Sequence, residues 1–309
     1  MSMPLATSPT TAGSVPGGGH EEQQPMMSGT TAQYGTLSTL HVPYGPQGAG
    51  PSIAGGIPVI RIVNAVSLAA VLVTNYLAGS TTVFNGVRIG DVARLFPNYL
   101  VPAPYAFSIW ALIYAFLALW GMHQLRPGSY ASPALNNGIG LLFPIYAATN
   151  IAWLVVWTHK QAALSVIMLM LSLAVTATMY FRIKSVDTLS STSTYLAVHV
   201  PLSLLTGWTL GATLVNVYAV TTTRDPIYIP SAAVATWLLA ALNSGIAMWA
   251  RDPIVSAVGV WTLVAVSVRN AGVSGLWGVD VGAAVICAAV GGAVAWVNAR
   301  IVRGRGLSA

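Results

Sequence analysis

Residues 96–116 read FPNYLVPAPYAFSIWALIYAF, with three prolines and seven aromatic residues running without a break into a long apolar segment. Proline fixes φ and stiffens an extended chain, so the stretch predicts a rigid, ring-rich loop feeding the mouth of an apolar helix. Of the 309 residues, 55% are hydrophobic and only 6% charged, whereas a soluble domain carries about a quarter charged residues. Apolar runs near the twenty or so residues that cross a hydrocarbon core of about 30 Å recur at about 58–77, 106–125, 139–158, 162–182, 196–219, 231–250, 253–269 and 279–299. The chain therefore reads as an all-α polytopic membrane protein with eight transmembrane helices, the seventh being the shortest. Connections are short except for residues 78–105, so neighbouring helices are expected antiparallel, as in an up-and-down bundle.

Residues 1–57 are rich in Gly, Pro, Ser, Thr and Gln and carry no Lys or Arg, a composition that predicts a disordered tail. Residues 301–309 read as a basic C-terminal tail. No basic segment followed by a short apolar one opens the chain, so the first span is expected to direct insertion. The segment Tyr34-Gly-Thr-Leu37 has the shape of a tyrosine sorting signal, but a pattern with two fixed positions arises often by chance.

With eight spans both termini share a side. Arg61, Arg126, Arg182, Lys184, Arg251, Arg300, Arg303 and Arg305 fall there, against Arg88, Arg94, Lys160, Arg224 and Arg269 opposite. The positive-inside rule then predicts cytoplasmic termini and a long loop facing away from the cytoplasm. The net charge of +6 is scattered singly at helix ends, which suits anchoring to lipid headgroups and does not suit nucleic acid.

All seven acidic residues, Glu21, Glu22, Asp91, Asp187, Asp225, Asp252 and Asp280, fall in the tail, in loops or at helix ends. Ion- and proton-coupled transport normally needs an ionisable group at mid-membrane, so a pump or proton symporter is disfavoured. Lys160 and Lys184 both sit at span ends, leaving no amine within a helix for a Schiff base to a chromophore. No metal-spaced His/Cys cluster, nucleotide-binding glycine loop or paired carboxylates occur, and no nucleophile with a supporting base, so enzymatic chemistry is the weakest reading. His123 and His199 come to one membrane side. A haem or metal between them is one reading, and two interfacial histidines touching water or carbonyls is the simpler one. Cys287, the single cysteine, is expected to pack as a small apolar residue in the last span.

Ten tryptophans need places. Trp120, Trp249, Trp296 and Trp277 fit interfacial belts. Others fall deeper: Trp110 and Tyr114 in the outer half of the second span, Asn150 near mid-depth in the third with Trp153 and Trp157 beyond it, and Trp208 and Asn216 in the fifth. Steps of three and four residues place Asn150, Trp153 and Trp157 on one helix face, and Trp208, Ala212 and Asn216 on another. An amide in a lipid-embedded helix needs a partner, so both asparagines should face the bundle interior. The rings beside them either pack the core or line a cavity, and helical aromatic stripes are more often structural.

At these residues the chain resembles the TspO/MBR family, the tryptophan-rich sensory proteins related to the translocator protein or peripheral benzodiazepine receptor. Pro97, Tyr99, Leu100, Pro102 and Pro104 lead to Phe107, Trp110 and Tyr114, as a proline- and aromatic-rich loop leads to such a helix in the family. Asn150-Ile-Ala-Trp153 matches the third-helix motif, and Trp208, Ala212 and Asn216 match the fifth. The resemblance covers about residues 58–218. Pro102-Ala-Pro104 replaces the double proline of short members, the Trp expected between it and the Phe is absent, and a lone Pro201 stands where Pro-Tyr is expected. The remaining spans resemble a longer branch in which Arg251-Asp252 precedes a Trp-containing helix.

The resemblance implies a five-helix membrane domain over 58–219 and a three-helix extension over 220–300. It also implies an apolar pocket capped by the first loop that binds porphyrin, haem, sterols or similar flat hydrophobic molecules, with no required cofactor. Trp110, Tyr114, Asn150, Trp153, Trp157, Trp208 and Asn216 are then the candidate ligand contacts, and Pro97, Tyr99, Pro102 and Pro104 the lid. The expected partners are a hydrophobic small molecule, membrane lipid and, through a small-residue row at Ala284, Ala288 and Gly292, a second copy of the chain. Binding or sensing, transport of the ligand, and a structural protein with a closed pocket all stay open.

Overall fold

A computed structural model describes residues 57–186 and 191–306, with side chains as far as Arg303. The predicted N-terminal tail, apart from Ile57, and the Tyr34 motif lie outside the described residues. All described residues belong to one compact unit. The helices are α1 (Val59–Ser80), a short α2 (Ile89–Ala93), α3 (Ile109–Gln124), α4 (Leu142–Thr158) and α5 (Ala162–Val186). A single turn, α6 (Thr192–Thr194), precedes α7 (Val200–Thr221), and α8 (Ile229–Ala250), α9 (Pro253–Arg269) and α10 (Trp277–Gly306) complete the chain. The chain is an all-α polytopic membrane protein. Six of these segments are long and apolar enough to span a bilayer, and α4 and α9 are shorter apolar helices. Such helices close their backbone hydrogen bonds internally, which hydrocarbon demands.

α7 is the axis. Every residue from Val200 to Gly211 is buried, and α3, α5, α8 and α9 all pack against this helix. Two glycines bring α9 close: a methyl group at Gly207 would meet Val258 at 3.1 Å, and one at Gly211 would meet Thr262 at 3.6 Å. Small residues at a helix crossing allow this approach in lipid, where dispersion contact replaces the hydrophobic effect.

The α8–α9 corner explains Arg251-Asp252. Arg251 takes a left-handed conformation that ends α8, and Asp252 accepts a hydrogen bond from Ile254 N–H at 3.0 Å to start α9. The second oxygen of Asp252 reaches back to α5 and α7. There it meets Lys184 Nζ at 2.9 Å and accepts from Ser203 Oγ at 2.6 Å and Tyr180 OH at 3.0 Å. Burial pushes the Asp252 carboxyl up, but the Lys184 charge and the hydrogen bonds together hold it below the ordinary carboxylate range.

Several sequence expectations change. Trp120 is buried against Phe143 at 4.2 Å between ring centroids and is no belt residue, whereas Trp249, Trp277 and Trp296 are exposed. Arg61 is fully buried and cannot anchor to headgroups. His199 is buried beside the Tyr195 ring. In α10 the row that packs on α9 is Ala283, Cys287 and Gly291, while Ala288 and Gly292 are exposed. Residues 301–306, assigned to a basic tail, continue α10.

Candidate functional site

The loop from Arg94 to Ala103 is ordered by one side chain. Asn98 Oδ1 accepts from the N–H groups of Leu100 and Val101 at 2.9 and 3.1 Å, and its Nδ2 donates to the Phe96 carbonyl at 3.1 Å. An amide can satisfy a tight turn in this way where prolines have removed backbone donors.

The same loop is then held from outside by the last three helices and their connections. Ala103 N–H donates to the Ala265 carbonyl at 2.9 Å, and Trp261 Nε1 donates to the Ala106 carbonyl at 2.9 Å. Asn270 Nδ2 donates to the Tyr99 carbonyl at 2.9 Å and to Asp280 Oδ2 at 2.8 Å. Arg224 Nη1 donates to the Asn98 carbonyl at 3.2 Å, and its guanidinium lies 4.9 Å from the Tyr99 ring centre.

Beneath the loop lies a cavity of about 730 Å³ walled by α1, α3, α4, α5, α7 and α9. This is within the range of small-molecule sites. Trp110, Tyr114, Asn150, Trp153, Trp157, Trp208 and Asn216 all line it, with Pro97, Pro102 and Pro104 on the loop side. Tyr99 does not. Its ring is buried outside the cavity with Leu100, Tyr218, Ala232 and Leu276, because the Arg224 contact and the Asn270 bond turn it toward α8 and the α9–α10 connection.

The rings are braced against one another. Trp110 stacks on Tyr114 at 5.3 Å, and Trp208 meets Trp110 and Phe107 edge-on at 6.1 and 6.0 Å. Phe96 leans on Trp157 at 5.5 Å, and Trp157 Nε1 donates to the Ile89 carbonyl at 3.2 Å, tying α4 to the short α2. Edge-to-face and offset contacts of this kind fix ring orientation while leaving a π-face open.

The amides pair within the bundle. Asn75 Nδ2 donates to Asn150 Oδ1 at 2.8 Å, and Ser165 Oγ donates to Asn216 Oδ1 at 2.8 Å. Two further lining residues, Tyr146 and Trp153, carry a hydroxyl and an indole N–H that find no partner among the described residues. Buried donors are normally satisfied, so an acceptor arriving in the cavity would be held by them. Arg94 and Arg269 are the charged lining residues, and Arg94 is already paired with Asp91 at 3.2 Å. Among the described residues no group of three His, Cys, Asp or Glu side chains could hold a metal.

Sequence reasoning missed Asn75, Tyr146, Thr209, Thr262 and Arg269 as cavity residues. Asn75 carried the same signal as Asn150, an amide inside a span, and Tyr146 lies one helical turn before Asn150. Thr262 and Arg269 come from α9, whose approach to the cavity follows from the Gly207 and Gly211 crossing and from no spacing in the sequence.

A family model described as TSPO-like protein matches residues 61–299, a range that runs from the first turn of α1 into α10 and takes in every cavity helix. No curated protein and no solved structure matches the chain.

Proposed function

The chain belongs to the TSPO-like family, and on that premise we propose that it binds or senses a flat hydrophobic ligand, porphyrin, haem or sterol-like, in the ring-lined cavity beneath the first loop. One observation carries this reading. All seven ring and amide residues singled out in the sequence face a single cavity of about 730 Å³. Braced rings supply apolar area and stacking surfaces, while Tyr146, Trp153 and the paired amides supply direction. The cavity volume counts against the alternative of a structural protein with a closed pocket.

Transport of the same ligand is the second reading. The four hydrogen bonds that hold the loop to Ala265, Trp261, Asn270 and Arg224 count against a freely swinging gate. Time-dependent accumulation in sealed vesicles, beyond stoichiometric uptake, would establish transport. Enzymatic turnover is the weakest reading, since the cavity lining carries hydroxyls but no carboxylate, histidine, cysteine or lysine, and product analysis after incubation with porphyrin in light and dark tests it. Cytoplasmic termini, lipid contact along the exposed helix faces and a homodimer through exposed Ala288 and Gly292 belong to the same proposal.

The direct test is fluorescence titration of the purified full chain in detergent. Protoporphyrin or haem is expected to quench tryptophan emission saturably. Equal quenching by wild type and by a variant lacking Trp110, Trp153, Trp157 and Trp208 would sink the reading.

A further inference from the structure

Away from the lid, the start of α1 and the end of α3 bury a cation that no carboxylate among the described residues balances. Arg61 is fully buried in the first turn of α1. Its Nη2 donates to Asn136 Oδ1 and, at 3.5 Å, to the Ser129 carbonyl, while Nε and Nη1 have no partner among the described residues. The ion pairs among the described residues are Arg94–Asp91 and Lys184–Asp252, so none reaches Arg61.

Two fully buried amides stand beside it. Asn64, one turn along α1, and Gln124, the last residue of α3, leave both their oxygen and their nitrogen unpartnered among the described residues. Their placement together follows from the helix crossing. Gly121 of α3 lies against Leu68 of α1, where a methyl group would meet Leu68 Cδ2 at 2.6 Å. One turn further toward this end, α1 presents Asn64 and α3 presents Gln124. Ser129 closes the group, its Oγ donating to the Gln124 carbonyl at 3.1 Å and its own carbonyl accepting from Arg61. Trp120, one turn before Gln124, adds a buried indole N–H that is also unpartnered there.

A guanidinium and two amides buried side by side with open hydrogen-bonding atoms carry a large desolvation penalty unless a counter-charge meets them. Hydrophobic residues would fill the same volume without it. We propose that Arg61, Asn64 and Gln124 form a binding site for a small monovalent anion. The guanidinium supplies one positive charge, matching one negative charge, and the amide N–H groups supply directed donors. Full burial of Arg61 favours a compact ion over a lipid headgroup. The bound anion joins α1 to α3 at the end away from the cavity.

Chloride and bromide are the probes. Full-length protein in detergent is unfolded thermally, with tryptophan emission as the readout, while chloride replaces gluconate at constant ionic strength. The expected result is a saturable, one-site rise in the unfolding midpoint, reproduced by bromide and abolished in Arg61→Gln. Because that variant can fail to fold, Asn64→Leu is measured as well. It removes one donor, and half-saturation should move to about tenfold higher halide. Identical midpoints in chloride and gluconate would overturn the proposal in favour of water filling the cluster. An undiminished halide effect in Asn64→Leu would place the anion elsewhere and overturn it too. A midpoint indifferent to halide but lowered by Glu21→Gln with Glu22→Gln would assign the counter-charge to the chain's own N-terminal carboxylates, which equally overturns the anion site.

Discussion

The cavity and the Asp252 corner both bury polar side chains between helices, yet one borders a space of about 730 Å³ and the other gathers its polar groups onto a single carboxylate. Around the cavity the amide oxygens of Asn150 and Asn216 accept at its wall from Asn75 and Ser165, so these neutral groups are held there without a counter-charge. Bulky rings then keep the walls apart. At the corner, one carboxylate draws Lys184, Ser203, Tyr180 and the Ile254 N–H onto itself. A charge must be met from all sides, so the helices close around it. Neutral polar pairs can line a void, whereas an ion pair draws its neighbours onto itself.

The sharpest way to break this contrast is Asp252→Ala. It leaves Lys184 near the α8–α9 corner without its partner and should destabilise the protein by about 3 kcal/mol, the lower end for a buried pair because Lys184 keeps some solvent. Thermal unfolding in detergent reads it, and adding Lys184→Met should recover part of the loss. Recovery of nothing would show that the carboxylate acts through Tyr180 and Ser203 alone.

Asn270→Ala comes next, at about 2 kcal/mol, since it removes the bond to the Tyr99 carbonyl and leaves Asp280 with its bond from Thr236. Proteolysis between Phe96 and Tyr105 should accelerate, because the loop is released from the helices that hold it. An unchanged cleavage rate would mean that Asn98 and the prolines order the loop unaided.

Acid should reach the corner before the cavity. Asp252 is held below its ordinary range, so its contribution is present above the unfolded carboxylate value, near 3.9, and is lost as pH falls through the lower folded value. The unfolding midpoint should therefore fall below about pH 4, and less steeply in Asp252→Asn.

Trp208→Ala should act mainly on the cavity. Loss of the ring that meets Trp110 and Phe107 edge-on should weaken protoporphyrin binding about tenfold, on the order of 1.4 kcal/mol. Fluorescence titration measures it. Binding unchanged by Trp208→Ala would remove this wall from the proposed site.

Much of this was legible in the chain because membranes simplify the problem. Run length and the scarcity of charge placed α1, α3, α4, α5, α7, α8 and α9 to within a few residues, and α10 except for its last two turns, since hydrocarbon admits helices and little else. Helical periodicity also placed Asn150, Trp153 and Trp157 on one face, and Trp208 and Asn216 on another. Whether those faces met as a core or as a cavity was not legible. That depends on the distance between helices, which the amide pairs and braced rings set jointly.

The sequence by itself determined the membrane class, the helices and the ring-bearing faces, because each follows from local composition and the 3.6-residue period. Only the tertiary structure decided that Tyr99 turns away from the cavity, that Thr262 and Arg269 join it, and that Arg61 is buried with no carboxylate beside it among the described residues. Each of these depends on residues far apart in the chain, such as Tyr99 with Asn270, Gly211 with Thr262 and Arg61 with Asn136. No local pattern encodes such pairs, since they arise only when small residues let particular helices approach.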